Sequence, residues 1–261
     1  MIPKILPIYG QFSINSYGLC IALGIVLVAW LFGKNKQAQQ HITPDQFSTL
    51  IMCSIVAGLA GARALFVLTN WQQYTSLWQM LAVWQGGGSV LGCIIGILCM
   101  MPFFVHHYNL SLLAVLDIAA LYAPLLHSVS RIGCFLAGCC YGKPTKLFFA
   151  ITYWHPDIVA PRHIPLHPTQ LYSALFLFLL FLLLYKVQNF FQKPGYLLCI
   201  YLLLASSERF FIDFLRGDQQ FFGMAPYSLL AINQWIALAL MVSSCIGLFV
   251  LSYATKTHES F

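Results

Sequence analysis

"LYSALFLFLLFLLLY", residues 171–185, carries no charged side chain and does not alternate apolar with polar positions. Runs approaching ~20 apolar residues span a bilayer, and only helices or closed barrels satisfy their backbone there. Barrel strands alternate, so this run reads as a membrane helix. Six more apolar segments flank it: Tyr17 to Phe32, Phe47 to Leu68, Ser89 to Val105, Leu112 to Ser128, Tyr196 to Phe214 and Leu229 to Leu251. The third and fourth are the least sharply divided, because only "HHYNLS" (106–111) separates them and "QGGGS" (85–89) blurs where the third begins. The composition agrees, since 60% of the chain is hydrophobic and 8% charged, against roughly 25% charged in a soluble domain. The expected fold is an all-α polytopic integral membrane protein of about seven transmembrane helices. No internal repeat or soluble second domain is visible, so residues 1–261 read as a single transmembrane domain.

The stretch "MIPKILPIYGQFSINSYG" is broken by Pro3, Pro7 and Gly10 before the first long apolar run, which argues against a cleaved signal peptide. Orientation follows from short-loop cations. Lys34 and Lys36, Lys186 and Lys193, and Lys256 fall on one side of a seven-span chain, which the positive-inside rule makes cytoplasmic. The N-terminus and the long connection at about 131–170 then face outward, and the C-terminus is cytoplasmic. The formal charge of +6 comes from thirteen scattered Lys and Arg rather than a basic run. That pattern fits anionic lipid and not nucleic acid.

Two polar clusters carry the candidate chemistry. "SERFFIDFLRGD" (207–218) places Glu208, Arg209, Asp213 and Arg216 inside or beside an apolar segment, and Arg63 lies inside another. Arg209 and Asp213 share a helix face, as do Asp213 and Arg216. The group is either an internal ion-pair ladder or an anion site. Three arginines exceed what Asp213 alone neutralises, and guanidinium matches phosphate with a bidentate fork. "RIGCFLAGCCYGKPT" (131–145) combines Arg131, Lys143, three glycines and Cys134, Cys139 and Cys140. The C-x4-C-C spacing has no C-x2-C pair, and adjacent cysteines tend to point apart, so no metal and no cofactor are expected. A disulfide within the trio is the alternative if the segment faces an oxidising exterior. The other six of the nine cysteines sit in apolar runs as small buried hydrophobes. "RHIPLHPTQLYSALF" (162–176) adds His167, a proton carrier or a structural donor, and Thr169, a candidate N-cap.

In order along the chain, "INSYGLCIALG", "GLAGARALFVL", "WQGGGSVLGCIIG", "SRIGCFLAGCCYGKPT", "HPTQLYSALF" and "RFFIDFLRGD" resemble the bacterial phosphatidylglycerol prolipoprotein diacylglyceryl transferases. The resemblance implies a seven-span enzyme of the bacterial inner membrane. Such an enzyme moves the diacylglyceryl group of phosphatidylglycerol onto the lipobox cysteine thiol of a prolipoprotein signal peptide and releases glycerol phosphate. It implies essential roles for Arg131, Arg209, Tyr17 and Gly142; Ser89, His167 and Asp213 are further expected substrate-binding positions beside them. Two departures stand out. Leu91 occupies the family's third-span histidine position, and Cys134 and Cys139 replace an asparagine and a glutamate. The base is then expected at Tyr17, His167 or a deprotonated Cys139. The alternatives are a diverged member that binds phospholipid but is inactive or uses another acceptor, and a thiol redox or metal protein built on the cysteine trio.

Overall fold

The computed structural model describes residues 4–9, 12–74, 76–82, 87–156, 158–191, 193–218 and 230–259. Pro3, Gly10, Gly86 and Gln220 to Leu229 fall outside these. A short antiparallel hairpin, β1 (Lys4–Tyr9) and β2 (Phe12–Asn15), leads into α1 (Ser16–Lys34). Then come α2 (Pro44–Thr69), the short α3 (Leu77–Leu81), α4 (Val90–His107), α5 (Leu112–Ala137), a two-residue strand pair β3 (Ile151–Thr152) and β4 (Pro165–Leu166), and α6 (Thr169–Val187), α7 (Tyr196–Leu215) and α8 (Ile232–Glu259). The chain is therefore a predominantly helical, multi-pass membrane protein. Six of these helices are long and apolar enough to cross a membrane. The other long one, α7, has 20 residues but carries Glu208, Arg209 and Asp213.

The seven apolar segments of the sequence correspond to the seven long helices, with one important shift. The fourth does not stop at Ser128 but continues to Ala137, so Arg131 and Cys134 belong to α5 and the connection spans residues 138–168. The physical reason lies at Gly138, whose φ of 71° only glycine adopts freely. Its N–H donates to the Phe135 carbonyl, and the Cys139 N–H donates to the Cys134 carbonyl at 3.1 Å. This is a Schellman end, which satisfies the last carbonyls of a helix.

The chain divides into two compact units, Leu31–Val115 on one hand and Met1–Trp30 with Leu116–Phe261 on the other. In the first, α2 starts at a full capping box. The Thr43 hydroxyl accepts from the Gln46 N–H while the Gln46 side chain accepts from the Thr43 N–H, with Pro44 in the first turn. The α2 and α4 backbones then meet at a glycine seam. A Cβ on Gly61 would lie 2.3 Å from the Gly92 carbonyl oxygen, and one on Gly96 2.3 Å from that of Ala57. Between membrane helices, where apolar burial supplies no drive, such close approach is what packing depends on.

In the second unit α6 packs on α7 and α7 on α8, while Gly24 of α1 receives Leu126 and Val129 of α5. Ser128 donates to the Ala174 carbonyl at 2.7 Å, tying α5 to α6. The N-terminus of α7 is capped from α5, because the buried Asp117 carboxylate accepts from the Gly195 and Leu198 N–H groups, each at 2.7 Å. These are charge-assisted bonds to donors a helix start leaves unsatisfied. Asp117→Ala is expected to cost about 2 to 4 kcal/mol, read as a lower thermal midpoint in detergent; an unchanged midpoint would show that the cap contributes nothing.

Candidate active site

Arg131 projects from α5 one turn after His127, and its Nε donates to His127 Nε2 at 3.2 Å. No ion pair of Arg131 occurs among the described residues. Opposite in sequence, Arg209 on α7 pairs with Asp213 at 3.3 Å, and Asp213 also receives Arg216 at 3.7 Å. Arg216 is held more firmly by Asp218, to which Nε and Nη2 both donate at 2.9 Å. Arg131, Arg209 and Arg216 all act electrostatically on Asp213, and Arg131 and Arg216 both act on Arg209. Arginines from two different helices thus converge around one carboxylate. Glu208, next to Arg209, turns to α6 instead, where Ser173 Oγ donates to it at 2.5 Å.

Arg63 does not join this group. It is 6% exposed in the other unit, and its guanidinium donates to the carbonyls of Met80 (2.8 Å), Gln79 (2.6 Å) and Gly87 (3.2 Å), with Phe66 and Tyr74 beside it. The excess of three arginines over Asp213 is accordingly smaller than the sequence implied. Of those three, Arg63 is used by backbone and Arg216 by Asp218, so Arg209 is left to Asp213; Arg131, outside that count, has the His127 ring as its partner.

The connection binds the ends of these helices into a frame. The Lys143 N–H donates to the Leu215 carbonyl at 2.7 Å and the Gly217 N–H to that of Tyr141 at 3.0 Å, so residues 141–143 run beside the end of α7. On the other side the Gly142 N–H donates to the His167 carbonyl (3.1 Å) and the His167 N–H to that of Lys143 (3.0 Å). Gly142 is buried, and a Cβ there would lie 2.5 Å from both Cβ and the carbonyl oxygen of His167. His167 thus enters as a backbone partner of Gly142, and its ring Nδ1 lies 3.4 Å from the Tyr172 hydroxyl. Thr169 is not an N-cap. Pro168 holds that place, and the Thr169 hydroxyl donates to the Cys140 carbonyl at 2.9 Å. Gln170 Nε2 donates to the Cys139 carbonyl (2.7 Å) and to the Tyr153 hydroxyl (3.0 Å).

The cysteines overturn the expectation that neighbours in sequence point apart. The sulfurs of Cys134, Cys139 and Cys140 all lie within 4.8 Å of one another. The Schellman end folds Cys139 back over Cys134, and Cys140, at φ 58°, turns back as well. Hydrogen bonds from the Cys134 and Cys139 thiols, then the charges of Arg216 and Arg131, pull the Cys140 thiol far below the usual range despite burial. Hydrogen bonds within the same trio, to Cys134 and Cys140, and then burial push Cys139 up. The Cys139 thiol also lies 3.7 Å from the Cys134 carbonyl, to which it donates.

Tyr17 packs on α5 at Gly133, where an added Cβ would lie 3.2 Å from the Tyr17 Cα, and it lies within electrostatic range of Arg131 and of all three thiols. Arg131, Arg209, Asp213, Gly142, His167, Tyr17, Cys134 and Cys139 are thus gathered in one unit. Ser89 belongs to the other, where it caps α4 by accepting from the Gly92 N–H at 3.3 Å. Sequence reasoning passed over His127, although its place four residues before Arg131 puts it on the same helix face. It also passed over Gln170 as the residue that fixes Cys139.

The model of a family described as prolipoprotein diacylglyceryl transferase matches residues 3–250. The chain is 32% identical over 252 residues to the phosphatidylglycerol–prolipoprotein diacylglyceryl transferase of Clostridium tetani, covering 96% of both chains. It is 32% identical over 255 residues to that of Thermosynechococcus vestitus, covering 95% of this chain and 92% of the other. Over 241 residues it is 32% identical to the second such enzyme of Clostridium perfringens, covering 88% of each.

Proposed function

Because the chain belongs to the prolipoprotein diacylglyceryl transferase family, we propose that this transferase moves the diacylglyceryl group of phosphatidylglycerol onto the thiol of a lipobox cysteine. The observation that carries this reading is the convergence of Arg131 and Arg209 from separate helices, with Asp213 shared between Arg209 and Arg216 and with no carboxylate on Arg131 among the described residues. Cations held near one another in a water-poor site repel, and a phosphate between them relieves that repulsion.

In the reaction the acceptor sulfur attacks the terminal glycerol carbon of the diacylglyceryl group. The new S–C bond forms as the C–O bond to phosphate breaks, the electron pair departs on glycerol phosphate, and the proton of the acceptor thiol is released to solvent. Arg131 and Arg209 bind the phosphate and stabilise the charge that grows on its bridging oxygen. His127 orients the Arg131 fork by accepting its Nε–H, and Asp213 positions Arg209. Gly142 lets the connection lie flat against His167 and Thr169, which keeps α6 and α7 in register beneath the phosphate. Tyr17 stands against α5 beside Arg131, where its hydroxyl meets the headgroup.

The enzyme is placed in the bacterial cytoplasmic membrane, with the N-terminus and the connection of residues 138–168 outside and the C-terminus inside, supported by Lys34, Lys36, Lys186, Lys193 and Lys256. Single-cysteine labelling from outside is expected to reach position 143 and not position 36; labelling of 143 only after the membrane is opened would reverse the orientation. The activity is tested with purified protein, phosphatidylglycerol labelled in its headgroup glycerol, and a lipobox peptide. One glycerol phosphate released per thioether formed is expected. Lipid binding with no release would leave a lipid-binding protein in place of a transferase.

A further inference from the structure

The three converging sulfurs have no counterpart in the phosphate-binding arrangement, and their placement is fixed by backbone. Cys134 lies in the last turns of α5, the Schellman end holds the Cys139 N–H on the Cys134 carbonyl, and the carbonyls of Cys139 and Cys140 are pinned by Gln170 and Thr169. Cys134 is buried, whereas Cys139 and Cys140 are half-buried and keep some exposure. Three thiolates around a tetrahedral zinc stand about 3.8 Å apart, given Zn–S bonds of about 2.3 Å. Sulfurs already within 4.8 Å of one another exceed that spacing by at most about 1 Å. Nearby cations suit such a centre, because zinc with three thiolates has a net negative charge. Arg131 lies three residues before Cys134 on the same helix face, and Arg216 acts on Cys140.

We propose that Cys134, Cys139 and Cys140 bind one zinc ion as three thiolates and leave its fourth position for the thiol of the acceptor cysteine. Structural zinc sites are closed by four protein ligands, whereas three ligands with an open position mark a catalytic one. The occupant of that position rests on the transferase reading; the metal site itself does not. On binding, the acceptor thiol gives its proton to solvent, since a metal-bound thiol ionises well below its free value near ~8.5. The bound thiolate keeps a lone pair for attack on the diacylglyceryl carbon, while the glycerol phosphate leaves into the grip of Arg131 and Arg209. The thioether produced is neutral and a poorer ligand, so it departs from the ion. Nothing is oxidised or reduced. A residue that withdraws the acceptor's proton is then unnecessary.

The test uses the full-length protein purified in detergent under reducing conditions without chelator. About one zinc per chain is expected, falling below about a tenth in Cys139→Ser and unchanged in Cys53→Ser. Cobalt substituted for zinc should show thiolate charge-transfer absorption. That spectrum should shift with a lipobox peptide and stay unchanged with the same peptide carrying Ser in place of Cys. Should Cys139→Ser fail to fold, removal of zinc from the native protein by phenanthroline and its return serve instead, with transfer lost and regained. Absence of stoichiometric metal overturns the proposal, whether the protein holds nine reactive thiols or has lost two to a disulfide. Full transfer by metal-free protein overturns the proposal and leaves the transferase intact. Stoichiometric zinc without transfer to any lipobox peptide keeps the metal site and removes the transferase reading together with the thiol-binding role.

Discussion

Arg131→Lys and Arg209→Lys are each expected to lower diacylglyceryl transfer by roughly thirty- to a thousand-fold, or about 2 to 4 kcal/mol of transition-state stabilisation. Lysine keeps the positive charge but loses the planar fork, so the phosphate is attracted without being held in one orientation. At Arg131 the loss is sharpened by His127, whose Nε2 now accepts from Nε at 3.2 Å and would face a flexible ammonium instead. At Arg209 the bridge to Asp213 survives as a charge pair, but the second arm of the guanidinium is gone. Steady-state rates against phosphatidylglycerol, with thermal midpoints alongside, separate this from unfolding. Both variants folding with native turnover would remove the phosphate-binding assignment.

Gly142→Ala is expected to reduce transfer by on the order of a hundred-fold, because small misplacements of a reacting site cost that much. The added methyl would lie 2.5 Å from the His167 Cβ and carbonyl oxygen and 3.0 Å from the Thr169 Cγ2. Two of these atoms belong to or adjoin backbone at the start of α6, so the connection must move instead. Its movement breaks the Gly142 N–H bond to the His167 carbonyl and disturbs the neighbouring bonds from the Lys143 N–H to Leu215 and from the Gly217 N–H to Tyr141. Overpacking of this kind also lowers stability by about 1 to 3 kcal/mol. Gly33→Ala, which meets nothing within 4 Å, is the matched control and should leave both rate and midpoint near native. Equal behaviour of the two variants would show that the close approach at Gly142 has no role.

The spans were legible in the sequence because hydropathy alone separates lipid-facing helices from polar loops, and α7 was recognised despite Glu208, Arg209 and Asp213. The end of α5 was not. Arg131 and the glycines around it read as the start of a loop, whereas a guanidinium hydrogen-bonded to His127 is tolerated on the helix and Gly138 ends it about two turns later. The pairing of Asp213 with both Arg209 and Arg216 followed from their spacing and holds. Arg63 was unreadable because its partners are carbonyls of residues 79, 80 and 87, which only the tertiary fold brings to it. The convergence of the cysteines depends on positive φ at Gly138 and Cys140, and nothing in C-x4-C-C announces that the chain doubles back there.

Residues 141–143 accept and donate backbone bonds to the end of α7 on one edge and to His167 before α6 on the other, while their own chain emerges from α5. Three helices are therefore stitched at one end by a single ribbon, and none can slide along its axis without tearing several hydrogen bonds at once. The spacing of Arg131 from Arg209 is set when the chain folds and does not need to be regained each time a lipid arrives. In a medium with little water to rotate toward a growing charge, a phosphate held as proposed by Arg131 and Arg209 would meet groups already spaced by the fold, and the reorganisation would belong to assembly more than to each catalytic cycle.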